Sequence, residues 1–228
     1  MGPLTCEISV VTERALTRVD RVLLRDVAVG RIREAIVSGE LAPGSVVKDA
    51  ELAARLGLSV APVRTALARL ADEGLVEAKP QSHTRVTPLV LRQVHDAAVV
   101  VRAMHELAVR EAVPRLAGDD LAAMRAANAD FAAALDAGDL DAALEADDRL
   151  HGVLLDRCAN AAVTATVDRF GPSVRRLERQ RFGTPGHPSV ELHDRLIDAC
   201  AAADVHAAVA TTTEIWTALL SELTEETP

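Results

Sequence analysis

The segment from Ala50 to Val86, AELAARLGLSVAPVRTALARLADEGLVEAKPQSHTRV, leaves few ways for this chain to fold. A short helix from Glu51 to Leu56 is stopped by Gly57, which tolerates the left-handed backbone that turns a chain sharply. Ser59 opens a second helix that runs to about Glu73, with Pro62 in the first turn, where its missing N–H does no harm. Asp49 is expected to cap the first helix and, with Glu51, to place negative charge at the positive end of the helix dipole. Leu52 and Leu56 share one face, while Val63, Leu67 and Leu70 form the inward stripe of the second helix and turn Arg64 and Arg69 outward. Gly74 ends that helix, and Leu75-Val76 and Arg85-Val86 flank a polar excursion that predicts a two-stranded hairpin. Helix, tight turn, helix and hairpin is the layout of a winged helix-turn-helix, which lays its second helix in the DNA major groove. Periodicity alone is equally compatible with two ordinary amphipathic helices; the hairpin favours the winged module.

Charge divides the chain in the same place. Residues 21–88 hold ten Lys and Arg against eight Asp and Glu, whereas residues 89–228 hold thirteen against twenty-three. Phosphate repels an acidic body, so only the head is expected to touch a nucleic acid. Three cysteines, Cys6, Cys158 and Cys200, have no CxxC spacing and read as reduced residues of a cytoplasmic protein. No basic-then-apolar leader and no run of eighteen apolar residues occurs, so neither export nor a membrane is implied. Residues 1–20 lack periodicity and are expected to be a mobile arm or a short extra helix.

From Leu91 onward the pattern is helical, punctuated by Gly, Pro and Asp. Helices are expected over Leu91–Leu116 with a kink at Pro114, from a cap at Asp119 or Asp120 to Gly138, and from Asp139 to about Asn160. Three more follow over about Ala161–Arg181, Ser189–Ala202 and Asp204–Leu223. The fold class is therefore mainly α: a winged helix-turn-helix over residues 21–88, then an all-α antiparallel bundle over 89–228 with room for a polar internal site.

A few polar residues in those apolar helices carry the chemistry. Asp147 and His151 are spaced i, i+4 and project from one helical face. His193 lies in the next helix but one. Asp and His converging from different helices are ligand types for zinc, nickel or manganese. The same residues could instead line a polar pocket without metal. Arg102 sits in the apolar run AAVVVRAM, where a bare charge is costly unless paired, and His105 shares its face. Arginine forks match carboxylates, which points to a small organic acid; an Arg–Asp bridge between helices is the alternative. His83, His95, His187 and His206 suggest no role.

Residues 29 to 88 resemble the DNA-binding domain of GntR-type bacterial transcription regulators. The matching strings are IREAIVSGELAPG (Ile32 to Gly44), ELAARLGLS (Glu51 to Ser59), PVRTALARL (Pro62 to Leu70) and EGLVE (Glu73 to Glu77). The remainder is similar to the all-helical effector domain (FCD type) of the FadR branch. The resemblance implies DNA contacts from Ser59, Val60, Ala61, Arg64 and Arg69 on the recognition helix and from Gln81, Ser82, His83 and Arg85 in the wing. Val60 stands where the family usually has Arg and Ala61 where Thr is common. The wing reads Pro80-Gln81-Ser82-His83 in place of Pro-Gly-x-Gly, so an unusual operator or weaker binding is expected. The branch's ligand pattern, Asp-x-x-x-His followed by two further His, falls on Asp147, His151 and His193, but the last position is Ile215, which cannot ligate. Glu214 beside it points about 100° away on a helix; Thr211, one turn earlier, is expected to face the cavity and donate a hydrogen bond. The effector set implied is thus Arg102, His105, Asp147, His151, His193 and Thr211.

The expected function is a homodimeric, DNA-binding transcription regulator, a repressor released from its double-stranded operator by a small carboxylate effector. A metal-dependent hydrolase or lyase built on Asp147, His151 and His193 is the rival from another class. It needs a general base beside the metal, and no second carboxylate at a suggestive spacing and no Ser-His-Asp or Cys-His arrangement is present. A third reading, from Val60 and the altered wing, is an effector-binding protein that has lost DNA recognition.

Overall fold

A computed structural model describes residues 23–78, 84–184 and 186–225. The expected arm at 1–20, Cys6, and the wing-tip residues Gln81, Ser82 and His83 lie outside the described residues. Helix α1 (Leu24–Val37) buries Ala28, Val29, Ile32 and Ile36, a stripe at helical spacing. Strand β1 (Val46–Val47), helices α2 (Asp49–Leu56) and α3 (Val60–Asp72), and strands β2 (Val76–Ala78) and β3 (Thr84–Val86) complete the head. Ile32, Val63, Leu70 and Leu75 are almost fully buried at its centre.

The turn between α2 and α3 forms as its sequence demands. Gly57 adopts φ 66°, and the Leu58 N–H reaches back to the Ala53 carbonyl at 2.9 Å, satisfying a carbonyl that the helix end would orphan. Two caps differ from expectation. Lys48, not Asp49, is the extended residue before α2, and the Asp49 carboxylate instead accepts from Arg64. Ser59 occupies the cap position of α3 without a side-chain cap bond.

The expected hairpin forms as β2 and β3, and a third strand, β1, joins it. Their order is β1-β3-β2, antiparallel throughout, with Val46 opposite Arg85 and Val76 opposite Val86. A two-residue strand such as β1 carries no alternation to read, and its partner lies almost forty residues downstream.

The bundle comprises α4 (Leu91–Ala112), α5 (Gly118–Ala137), α6 (Leu140–Cys158), α7 (Ala161–Phe182), α8 (Ser189–Ala201) and α9 (Val205–Glu225). Pro114 does more than kink α4: the helix stops at Ala112 and a 3₁₀ turn covers Val113–Arg115. Neither Asp119 nor Asp120 is the cap residue of α5. Ala117 is, and Asp120, one turn in, accepts from its N–H at 2.8 Å. Asp139 caps α6 as expected by accepting from the Ala142 N–H. Helix α7 keeps Pro172 inside it, which removes the helix donor to the Asp168 carbonyl. Phe131, Leu150, Leu154 and Leu196 are fully buried. Cys158 and Cys200 are buried free thiols, and burial pushes Cys200 up to about 11, which makes it inert.

Head and bundle meet along α1, which packs on α3 on one side and on α7 on the other. Val37 of α1 packs against the bundle cluster that includes Leu144, Phe131 and Phe182. Among the described residues no helix is long and apolar enough to cross a membrane.

Candidate functional site

The outward face of α3 presents Ser59, Ala61, Arg64, Thr65 and Ala68, all exposed because Val63, Ala66, Leu67 and Leu70 take the inner face. Arg64 is 74% exposed along its side chain, and its Nε donates to Asp49 Oδ2 at 3.0 Å. That pair is solvated and weak, so it orients the guanidinium without removing it from competition for an incoming base or phosphate. Val60 is half-buried and packs against the head core, so its side chain serves the fold as well as the helix start. Arg69 lies at the far end of α3, beside Glu73 at 3.3 Å and Asp26 at 3.6 Å. Arg85 donates to the Gly44 carbonyl at 2.9 Å and so ties β3 to the loop before β1. Thr65 and Ala68, which sequence reasoning passed over, share the exposed face with Arg64.

The bundle holds a cavity of about 350 Å³. Asp147 and His151 enter it from α6 and His193 from α8. Their ligand atoms all lie within 4.8 Å of one another. Asp147 Oδ1 is 3.7 Å from His151 Nε2 and 3.4 Å from His193 Nε2. Two donors on a tetrahedral zinc at about 2.1 Å are about 3.4 Å apart, so these separations suit a divalent ion.

The protonation of His193 sharpens this point. Asn128 on α5 donates from Nδ2 to the Val190 carbonyl at 3.1 Å and to Asp194 Oδ1 at 2.7 Å. Both partners only accept, so the Asn128 carbonyl oxygen must face His193 Nδ1, 3.1 Å away. Nδ1 therefore carries the proton and Nε2 presents a bare lone pair to the Asp147 carboxylate. His193 is 1% exposed, and burial, opposed by Asp147, lowers it to about 4, so it does not charge itself at neutral pH. Two such acceptors 3.4 Å apart are an arrangement that a divalent ion, or a donating water, would satisfy.

Arg175 of α7, 15% exposed, borders this cluster with Nη1 4.0 Å from Asp147 Oδ2 and 3.5 Å from Glu178 Oε2, and with Nη2 against Asp148. Burial raises Glu178 well above the usual carboxylate range, with Arg175 pulling it back. His105 also lines the cavity, its ring 5.4 Å from that of His151 and 5.3 Å from that of Trp216. Burial, reinforced by His151, lowers His105 to about 3, so it is a neutral imidazole. Ile215 lines the cavity too and closes one side with hydrocarbon.

Two expected residues are elsewhere. Arg102 does not line the cavity; its Nε lies 3.5 Å from Glu106 Oε1, and Glu106 accepts from Thr213 Oγ1 at 2.8 Å. The pairing that its apolar setting demands is thus an ion pair within α4, tied to α9. Thr211 is buried and does not line the cavity. Glu214 is exposed and pairs with Arg195. The residues that sequence reasoning missed are Asn128, Arg175 and Glu178. The Arg175/Glu178 spacing of i, i+3 was a visible signal; Asn128 gave none.

Matches to known proteins fit this arrangement. The bacterial regulatory proteins of the gntR family match over residues 24–86, and the FCD domain matches over residues 96–218. This chain belongs to the GntR family, in the group with an FCD domain. It is a transcription regulator, and regulators of this family bind DNA operators, typically dimerise and are not enzymes. The HTH-type transcriptional repressor RspR of Escherichia coli K12 is 24% identical over 165 residues, 72% of each chain. A probable D-xylose utilization operon transcriptional repressor of Paenarthrobacter nicotinovorans is 35% identical over 92 residues, 39% of this chain and 41% of that one. The E. coli McbR/YncC structure shares the fold at TM-score 0.81 and 20% identity, covering 90% of this chain and 99% of its own. A putative GntR regulator from Rhodococcus sp. RHA1 does so at 0.74 and 17%, with the same coverage. The FCD segment supplies the Asp/His/His cluster, yet Gly30, Arg33 and Val37 from the gntR segment also line the cavity.

Proposed function

We propose that this GntR-family member is a homodimeric repressor whose hold on a double-stranded operator is set by a small carboxylate effector in the FCD cavity. The working division is residues 21–88 for DNA and 89–228 for effector binding and dimerisation. The single observation that carries the ligand reading is the convergence of Asp147, His151 and His193, whose ligand atoms all lie within 4.8 Å of one another. Asp147, His151 and His193 would hold a divalent metal such as zinc, nickel or manganese, which supplies a Lewis-acid anchor for an effector oxygen. Ile215 leaves that shell one protein donor short. Arg175, beside the cluster, takes the role first expected of Arg102 and forks the effector carboxylate. Neutral His105 offers a hydrogen bond to the same guest. In the head, Arg64 reads a base edge or phosphate from the exposed face of α3, and Arg85 braces the wing. Exposed Val99 and Val100 on α4 are available for a helix contact between copies.

Effector binding weakens the operator complex only to the extent that it favours the released arrangement, in typical allosteric proteins by about 1–3 kcal/mol. Fluorescence anisotropy with the promoter region of the chain's own gene, run with and without zinc and a panel of small carboxylates, tests the scheme. Salt-sensitive binding that weakens on adding metal and acid is expected. No specific DNA binding would leave only an effector-binding protein, and tighter binding with effector would reverse the sign.

A further inference from the structure

The cavity wall and the recognition helix are joined twice, by different elements, and both connections end within one three-residue turn. The first runs through α1. Arg33 lines the cavity and forks Glu73 at the end of α3, Nε to Oε2 at 3.1 Å and Nη2 to Oε1 at 2.7 Å. Glu73 is buried, so the fork is short and well shielded from water. The second runs through α7. Arg175 and Glu178 face the cavity, and Arg176 between them donates to the Thr87 carbonyl at 3.2 Å. The Thr87 hydroxyl in turn donates to the Gly74 carbonyl at 2.7 Å and is 3.1 Å from that of Leu75, and the Thr87 N–H binds the Leu75 carbonyl at 3.0 Å. Glu73, Gly74 and Leu75 form the turn from the recognition helix into β2.

We propose that the Glu73–Leu75 turn is the joint through which occupancy of the cavity reaches both the recognition helix and the wing. A ligand beside Arg175 alters the seat of α7 and hence the Arg176–Thr87 contact; a ligand that offers Arg33 an anion competes with Glu73 for the fork. Either event loosens the one turn whose geometry fixes α3 relative to β2. Val37, seated among Leu144 and Phe182 of the cavity wall, keeps α1 in register with that wall. The inference rests on reading the cavity as the effector site.

Hydrogen exchange of the backbone amides from Arg69 to Val76 in full-length protein tests it. The cavity is perturbed in two independent ways: by zinc, with binding measured separately by calorimetry, and by Ile215→Phe, or Ile215→Met if the ring is not tolerated. Exchange in the turn should change at least about fivefold under one or both, the lower end of ordinary allosteric coupling. In Arg33→Gln and Arg176→Gln combined, that response should fall below about twofold. If Arg33→Gln destabilises the head by leaving buried Glu73 with Arg69 as its remaining partner, Arg33→Gln paired with Glu73→Gln keeps a neutral hydrogen bond there. An unchanged turn in the otherwise wild-type background, or the same response without the two arginines, overturns the proposal. Failure of zinc to bind sinks the metal reading alone and leaves the Ile215 arm to decide this one.

Discussion

Asn128→Ala should weaken zinc binding by about 5- to 150-fold without touching a ligand. In the native site the Asn128 carbonyl oxygen takes the His193 Nδ1 proton at 3.1 Å, and its amide is pinned by the Val190 carbonyl and Asp194. Removing the side chain leaves a buried imidazole N–H with no acceptor. The ring can answer by moving the proton to Nε2, where it donates to Asp147 at 3.4 Å and no lone pair remains for a cation. Restoring the ligating tautomer then costs about the penalty of an unsatisfied buried N–H, roughly 1–3 kcal/mol. That converts to about 5- to 150-fold in affinity, in line with the roughly 10–100-fold typical of outer-shell partners of ligating histidines. Calorimetric titration of zinc into wild-type and Asn128→Ala protein at one pH and buffer measures it, with thermal unfolding of the metal-free proteins as the folding control. An affinity within about twofold of wild type would show that Asn128 does not set the His193 tautomer.

Three other outcomes are expected. In a thermal-shift panel of small carboxylates on zinc-loaded protein, Arg175→Ala should abolish any stabilising hit, whereas Arg102→Ala, whose partner is Glu106, should retain it; the reverse pattern would restore Arg102 to the effector role. In chelator, the protein should lose stability as pH falls from about 6.5, because the unfolded chain takes up protons that buried His105 and His193, lowered to about 3 and about 4, refuse. Glu178, raised by burial, works in the opposite sense and His187, lowered by burial, adds to the loss, so the net slope should be at least about one proton, roughly 1.4 kcal/mol per pH unit; a denaturation midpoint flat from pH 7 to 5 would refute it. Finally, Ala203 sits at φ 54° after α8, a conformation that costs a residue with a Cβ about 1 kcal/mol, so Ala203→Gly should raise Tm by a few degrees, and a fall would count against that strain.

The parts of this molecule that were legible in its sequence are those encoded by local spacing. Gly57, the Val63/Leu67/Leu70 stripe and Gly74 specify the helix-turn-helix within twenty residues. The i, i+4 pair Asp147/His151 needs only a helix to bring it together. What was illegible depends on rotation and partners fixed from afar. Whether Arg102 or Arg175 faces the cavity is decided by how α4 and α7 roll against their neighbours, and both lie on amphipathic helices with a plausible pairing partner. Strand β1 is too short for a pattern of its own. Asn128 acts on His193 from a different helix, and a lone Asn among alanines carries no spacing signal. The involvement of α1 in the cavity wall was equally hidden, since it arises where the hydrophobic clusters of head and bundle meet.

Ile215 has a consequence for what such a regulator can sense. With hydrocarbon where a third imidazole would close the shell, the three protein donors would grip an ion incompletely on the proposed reading, and an arriving acid would contribute the donor that is missing. Each guest then strengthens the other by the same factor, as linkage requires. A gene controlled in this way would respond most strongly when metal and acid are present together.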